Sequence, residues 1–185
     1  GGDSGDGPGD VRPQAGAAYV VYGKAGTAAV NLTDIAAGSG GFVIHGASAG
    51  DLASRGIAAG DLNGDGVSDL LIGAAQADGA GAGYVVYGSL SGYPAQVDLL
   101  DIGNGIGGFK LPGATSGYSG GVRVAVGDVN GDSIADMLIA SPGGGRATLV
   151  LGSASLANDP LPLANAGITF AGTTIQGAGD AGTDV

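Results

Sequence analysis

The chain has no cysteine, no tryptophan and no glutamate, and a single histidine and a single methionine among its 185 residues. Without cysteine there is no disulfide framework, no zinc–thiolate site and no thiol nucleophile. No apolar run approaches the roughly 20 residues that a helical membrane span needs. Six Lys plus Arg against 17 acidic residues leave a net charge of −11, which argues against nucleic acid or an anionic membrane as partner. Helix signals are nearly absent, because glycine interrupts almost every window of ten residues. The start, Gly1-Gly2-Asp3, has neither a methionine nor a signal sequence, as expected of a processed, excised or partly observed chain.

What is abundant is glycine and aspartate. The 42 glycines follow no three-residue period, which excludes collagen, and 44% apolar residues are too many for a disordered acidic tail. The length suffices to bury a core. Every acidic residue is aspartate, a poor helix former that serves turns and metal sites, so a loop-rich β protein is expected. Its surplus negative charge points to cations as the natural counterpart.

An internal repeat organises the rest. Ala18-Tyr19-Val20-Val21-Tyr22-Gly23 returns as Gly83-Tyr84-Val85-Val86-Tyr87-Gly88, a shift of 65 residues, and more weakly as Ala147-Thr148-Leu149-Val150-Leu151-Gly152. Gly40-Gly41-Phe42 returns as Gly107-Gly108-Phe109, and Asp61-Leu62-Asn63-Gly64-Asp65 as Asp128-Val129-Asn130-Gly131-Asp132, both at a shift of 67. Within one period the short apolar segments 56–60, 70–74, 84–87 and 109–111 read as strands, followed by 122–126, 137–140, 148–151 and 168–170 in the next. Four strands per period is the arithmetic of a β-propeller blade. The expected fold is therefore all-β, a β-propeller of four-stranded antiparallel blades with about two and a half blades present. Residues 1–54 form a partial blade of outer strands, 55–121 a blade with one aspartate loop, and 122–185 a blade with a second loop and a truncated last connection. Such a set cannot close a ring, so it is expected to belong to a larger propeller or an assembly.

The two loops carry the chemistry. In Asp61-Leu62-Asn63-Gly64-Asp65-Gly66-Val67-Ser68-Asp69, side-chain oxygens fall at positions 1, 3, 5 and 9, and the Val67 carbonyl at position 7. This spacing lets a tight loop wrap a hard cation with oxygen ligands, as in the first part of an EF-hand, and it favours Ca²⁺ over Mg²⁺ or a transition metal. The second loop keeps Asp128, Asn130, Asp132 and Asp136, with the Ile134 carbonyl at position 7. Ser133 replaces glycine at position 6, so this site is expected to be the weaker. The same residues also make Asx-type hairpin turns, but a turn needs one or two such oxygens rather than four. Asp3, Asp6 and Asp10 lack the spacing. Asp34, Asp98 and Asp101 lie in long connections and read as solvated or turn-forming, Asp159-Pro160 marks a turn, and Asp180 and Asp184 mark a chain end.

Gly60 to Ala74 resembles the FG-GAP repeat of integrin α-chain propellers and their bacterial relatives, and Gly127 to Pro142 resembles it again, with Ala140-Ser141-Pro142 in the "GAP" place. The "FG" half is not matched: Arg55-Gly56 and Gly120-Gly121 stand there. The resemblance implies a propeller of usually about seven blades with calcium in the hairpin between a blade's first two strands. It implies Asp61, Asn63, Asp65, Val67 and Asp69 as ligands of one ion, and Asp128, Asn130, Asp132, Ile134 and Asp136 as ligands of another. Weak calcium sites fill outside the cytoplasm, so an extracellular, cell-surface or periplasmic location is expected.

No enzyme emerges. His45 reads as a strand histidine, Ser54, Ser119 and Ser141 lack a nucleophile elbow, and Gly143-Gly144-Gly145-Arg146 lacks a P-loop lysine. Tyr19, Tyr22, Tyr84 and Tyr87 read as residues packed between blades. The expected function is a calcium-binding, non-catalytic module of an exported or surface bacterial protein. It would serve in adhesion, protein–protein interaction or structural assembly, with other blades, other subunits or carbohydrate as partners. The alternatives are an accessory propeller of a secreted hydrolase or lyase, and a subunit whose blade edges are capped by partner chains.

Overall fold

The computed structural model describes residues 11–112, 123–141, 146–157 and 173–176. Strands β1 (Ala17–Val21) and β2 (Gly41–His45) pair antiparallel, with Ala17 opposite His45. Strands β3 (Ala53–Gly60), β4 (Asp69–Ala74) and β5 (Ala82–Val86) follow. A short strand β6 (Gln96–Asp98) precedes β7 (Gly108–Pro112). The order β3-β4-β5-β7 is one four-stranded antiparallel blade. Strands β8 (Arg123–Gly127), β9 (Asp136–Ser141), β10 (Arg146–Val150) and β11 (Thr173–Gln176) make the next. β1 matches β5 and β2 matches β7 at the repeat shifts, so within the first sheet these two correspond to the third and fourth strands of the blade that follows. The strand expected at 168–170 lies outside the described residues, and β11 is the fourth strand of its sheet.

Blades bury both faces, which is why β4 reads as a continuous apolar run rather than an alternating one. On one face Ile72, Tyr84 and Val86 pack against Ala18, Phe42 and Ile44 of the first sheet. On the other, Leu71, Val85, Phe109 and Leu111 pack against Met137 and Val150 of the next blade. Strand β3 lies against β8, so successive blades meet along their first strands as well as through their faces. Tyr84 is buried, as expected, but its repeat counterpart Tyr19 remains half exposed, as does Tyr22, the counterpart of Tyr87.

Three features differ from the sequence reading. First, five-residue helices α1 (Leu32–Ala36) and α2 (Leu99–Gly103) precede β2 and β7. Their N-caps are Asn31, which accepts from Thr33 N at 3.0 Å, and Asp98, which accepts from Leu100 N at 2.9 Å. So short a helix is marginal alone; Ile35 and Ile102, both buried, hold these two against the sheet. Second, Asp98 is not merely solvated. Its carboxylate takes a forked pair of bonds from Arg12, at 2.9 and 2.5 Å. Burial pushes its pKa up, but Arg12 and the Leu100 N–H outweigh that and hold it below the usual range. Third, β6 leaves its own blade and adds to the outer edge of β2 as a parallel strand, with Val97 opposite Ile44. An otherwise unpaired edge is thereby covered by the neighbouring blade.

His45 sits on this edge, half-buried, with neither ring nitrogen hydrogen-bonded. Burial lowers its pKa, although the charge of Asp98 pulls the other way. Ser54, at the β-bulge in β3 with φ +74°, donates its hydroxyl to the Ala17 carbonyl at 2.8 Å.

Candidate metal centre

Each aspartate loop is the hairpin connection between a blade's first and second strands, β3–β4 and β8–β9. In the first loop Asp61 sits at position 1 and gathers the backbone of the turn. Its Oδ1 accepts from Gly64 N at 2.7 Å and Asp65 N at 3.1 Å, and its Oδ2 from Gly66 N at 2.8 Å. Asn63 accepts from Asp65 N at 3.0 Å, and its amide donates to Asp65 Oδ2 at 3.0 Å. Asp65 Oδ1 accepts from Val67 N at 2.8 Å. The wrap requires left-handed backbone at two places, and glycine supplies both: Gly64 at φ +72° and Gly66 at φ +83°.

Asp69 stands apart from these three. It opens β4, is fully buried, and spends one oxygen on each of two backbone donors. Leu62 N reaches Oδ2 at 2.9 Å and Gly88 N reaches Oδ1 at 2.7 Å. Asp69 is thus a strut between the loop and the end of β5. The glycine that closes the repeated Tyr-Val-Val-Tyr-Gly segment is explained by this contact. A Cβ on Gly88 would lie 2.6 Å from the Ser68 carbonyl oxygen and from Val67 Cγ1.

The second loop repeats the arrangement almost bond for bond. Asp128 accepts from Gly131 N at 2.6 Å and Ser133 N at 2.9 Å. Asn130 accepts from Asp132 N and donates to Asp132 Oδ2, both at 2.9 Å. Asp132 accepts from Ile134 N at 2.8 Å. Buried Asp136 bonds Val129 N and Gly152 N, each at 2.8 Å. The backbone donors of Ser133 and Gly131 hold the Asp128 carboxyl below its ordinary pKa.

Ser133 carries φ +70° where the first loop has glycine. A non-glycine residue there costs about 1 kcal/mol. Ser133→Gly should therefore raise the melting temperature by roughly 2–4 °C for a chain of this size. Because the strain is present in the metal-free loop, the gain should appear in chelator as well as in calcium. An unchanged melting point in thermal denaturation would mean that Ser133 escapes the left-handed region in solution.

Eight of the ten residues expected at the sites lie in these loops, and Asp69 and Asp136 open the strands that follow. Asn63 and Asp65 are joined side chain to side chain, as are Asn130 and Asp132, while Asp61 and Asp128 bond backbone N–H groups of their own loops. Val67 and Ile134 are tied in through their N–H groups. Among the described residues, no three acidic or imidazole side chains converge on one point. The donors not spent on the strut suit a hard cation all the same, being two carboxylates, an amide oxygen and a backbone carbonyl in each loop, without imidazole or sulfur. Burial pushes the Asp69 carboxyl above its ordinary range; the two N–H donors pull it down, and the nearby charges of Asp65 and Asp61 push it up again. A divalent cation would relieve that crowding of like charge.

Sequence reasoning missed how blades are stitched beside the loops. Tyr93 stacks on Phe42 at 4.3 Å between ring centroids and donates its hydroxyl to the Tyr87 carbonyl at 3.0 Å. One blade later, Leu156 is buried in the cluster that holds Phe109, and the Tyr87 hydroxyl donates to its carbonyl. In each case the loop after a blade's third strand plugs the aromatic residues of the blade before it. The paired Gly-Ser segments at 88–91 and 152–155 are the signal that could have located both plugs.

The FG-GAP repeat family matches residues 54–86 and 120–155, the stretches that hold the two loops and the strands around them. None of the curated proteins compared with the chain matches it.

Proposed function

We propose that this chain, a β-propeller segment carrying two FG-GAP repeats, is a calcium-binding, non-catalytic module that works through protein–protein contacts. The observation that carries the reading is the duplication of the loop. Two segments 67 residues apart hold the same four oxygen side chains in the same hydrogen-bonded arrangement, whereas a hairpin turn alone would need only one or two of them. Asp61, Asn63 and Asp65 would hold one ion and Asp128, Asn130 and Asp132 the other, with the Val67 and Ile134 carbonyls as further donors. Asp69 and Asp136 fix each loop to its blade. The bound ion supplies positive charge that offsets the crowded carboxylates and stiffens one rim of the blades. Sites of this kind fill where calcium is at millimolar levels, so an extracellular, cell-surface or periplasmic setting follows.

The non-catalytic part of the proposal rests on what the reactive groups are already doing. The paired carboxylates are engaged by backbone N–H groups, and the single histidine lies in the sheet edge beside the Arg12–Asp98 pair. FG-GAP repeats generally serve protein–protein interaction, which favours a binding or assembly role.

Thermal unfolding in a calcium series against chelator tests the reading. At free calcium 100 times the dissociation constant, each site should add about 2.7 kcal/mol, or roughly 5–10 °C for a chain of this size. Asp65→Ala should remove one site's share in calcium and change little in chelator, because its carboxylate is exposed and accepts only from Val67 N and the Asn63 amide. An equal loss in both conditions would reduce Asp65 to a turn residue.

A further inference from the structure

The two loops are neighbours, joined through backbone rather than side chains. The Asp61 carbonyl accepts from Ala135 N at 2.8 Å, and the Leu62 carbonyl accepts from Ser153 N at 3.1 Å. Ala135 lies between Ile134 and Asp136 of the second loop. Ser153 follows Gly152, whose N–H binds Asp136. Leu62 in turn gives its own N–H to Asp69. A short path of hydrogen bonds therefore runs from Asp69 through Leu62, then Ser153 and Gly152, to Asp136. Packing reinforces it: a Cβ on Gly64 would lie only 3.2 Å from Ile134 Cδ1, and one on Gly60 3.1 Å from Ala135 Cβ.

We infer that the two loops bind calcium as a positively coupled pair, each raising the other's affinity; this rests on the calcium reading above. Asp61 is at once the first residue of one loop and the acceptor that positions the eighth residue of the other. Closing the first loop fixes the Asp61 and Leu62 carbonyls, and with them Ala135 and Ser153. The second loop then has less backbone left to order when it closes, which is a source of cooperativity without a large structural change. The strain at Ser133 is present with or without metal, so it does not enter the coupling, and linkage requires each site to shift the other by the same factor.

The test is calorimetric titration with calcium of the full chain after chelator treatment, for the wild type, Asp65→Asn and Asp132→Asn. Both substituted side chains are exposed, and asparagine keeps an acceptor oxygen. Circular dichroism checks that each variant folds. If only one does, reciprocity lets that variant alone read the coupling. The expected result is one remaining site per variant, bound about five-fold or more weakly than the same site in the wild type. The two factors should agree. Unchanged affinity at the remaining site would overturn the coupling and leave the calcium reading standing. A tighter remaining site would overturn its sign. No calcium uptake by the wild type at millimolar concentration would overturn the calcium reading and the coupling with it.

Discussion

Asp69→Ala should destabilise the chain by about 3–5 kcal/mol, and by nearly the same amount in chelator as in calcium. Asp69 is fully buried, and both of its oxygens are engaged by backbone N–H groups of Leu62 and Gly88, at 2.9 and 2.7 Å. Truncation removes a charged acceptor and leaves two donors in a low-dielectric setting with nowhere to turn, at about 1–3 kcal/mol apiece. The loop would also come loose from β5, because Gly88 is where that strand's end meets it. Asp69→Asn should cost less, since one acceptor oxygen survives while the new amino group faces the other N–H. Chemical denaturation of the three proteins in chelator measures this ranking. Were Asp69→Ala to match the wild type in chelator and fall behind only in calcium, the strut would be a ligand first. Full unfolding of the Ala variant is within range, because a domain's whole stability is about 5–15 kcal/mol; the Asn variant then carries the comparison.

This contrast with Asp65 marks how far the sequence could be read. Spacing alone distinguishes positions 1, 3, 5 and 9 from the other aspartates, and it places all four in one loop. It does not say that position 9 faces the interior, because that depends on where β5 ends in space, some twenty residues on. The repeat period located the third strands and the Gly-Gly-Phe segments within a residue or two. It did so because both faces of a blade are buried, so apolar runs and their bounding glycines recur together. The helices α1 and α2 escaped because five residues leave no periodicity to detect, and because their caps, Asn31 and Asp98, look like ordinary turn residues. Strand β6 escaped for a different reason. Three residues, Gln96–Asp98, become a strand only because β2 of another blade offers an edge. Tyr93 and Leu156 likewise acquire meaning only from the aromatic residues they cover. What the sequence carried was local and periodic, and what it withheld lies between blades.

Gly108→Ala should be the most damaging of the small substitutions, at about 3 kcal/mol or more. A Cβ at Gly108 would sit 1.9 Å from the Val85 carbonyl oxygen and 3.1 Å from Ile102 Cγ2. The first of these is backbone, and it cannot retreat without opening the β5–β7 pairing in which Val86 faces Gly108. The neighbouring Gly107 supplies the control. It has φ +75°, so alanine there is strained, but its Cβ would meet only Ile102 Cδ1 at 3.7 Å. Gly107→Ala should therefore cost about 1–2 kcal/mol, the ordinary penalty of a left-handed residue. The repeat offers an internal check, since a Cβ at Gly41 would lie 2.0 Å from the Val20 carbonyl oxygen and 3.2 Å from Ile35 Cγ2. Gly41→Ala should thus fail in the same way as Gly108→Ala. Denaturant melts of the three variants decide the matter. If Gly108→Ala costs no more than Gly107→Ala, the β5–β7 pairing opens easily enough to admit a methyl group, and close approach of the strands is not what the second glycine preserves. If Gly108 and Gly41 stand out together, the second glycine exists to let strand four lie close against strand three, delivering Phe42 and Phe109 to the two cores.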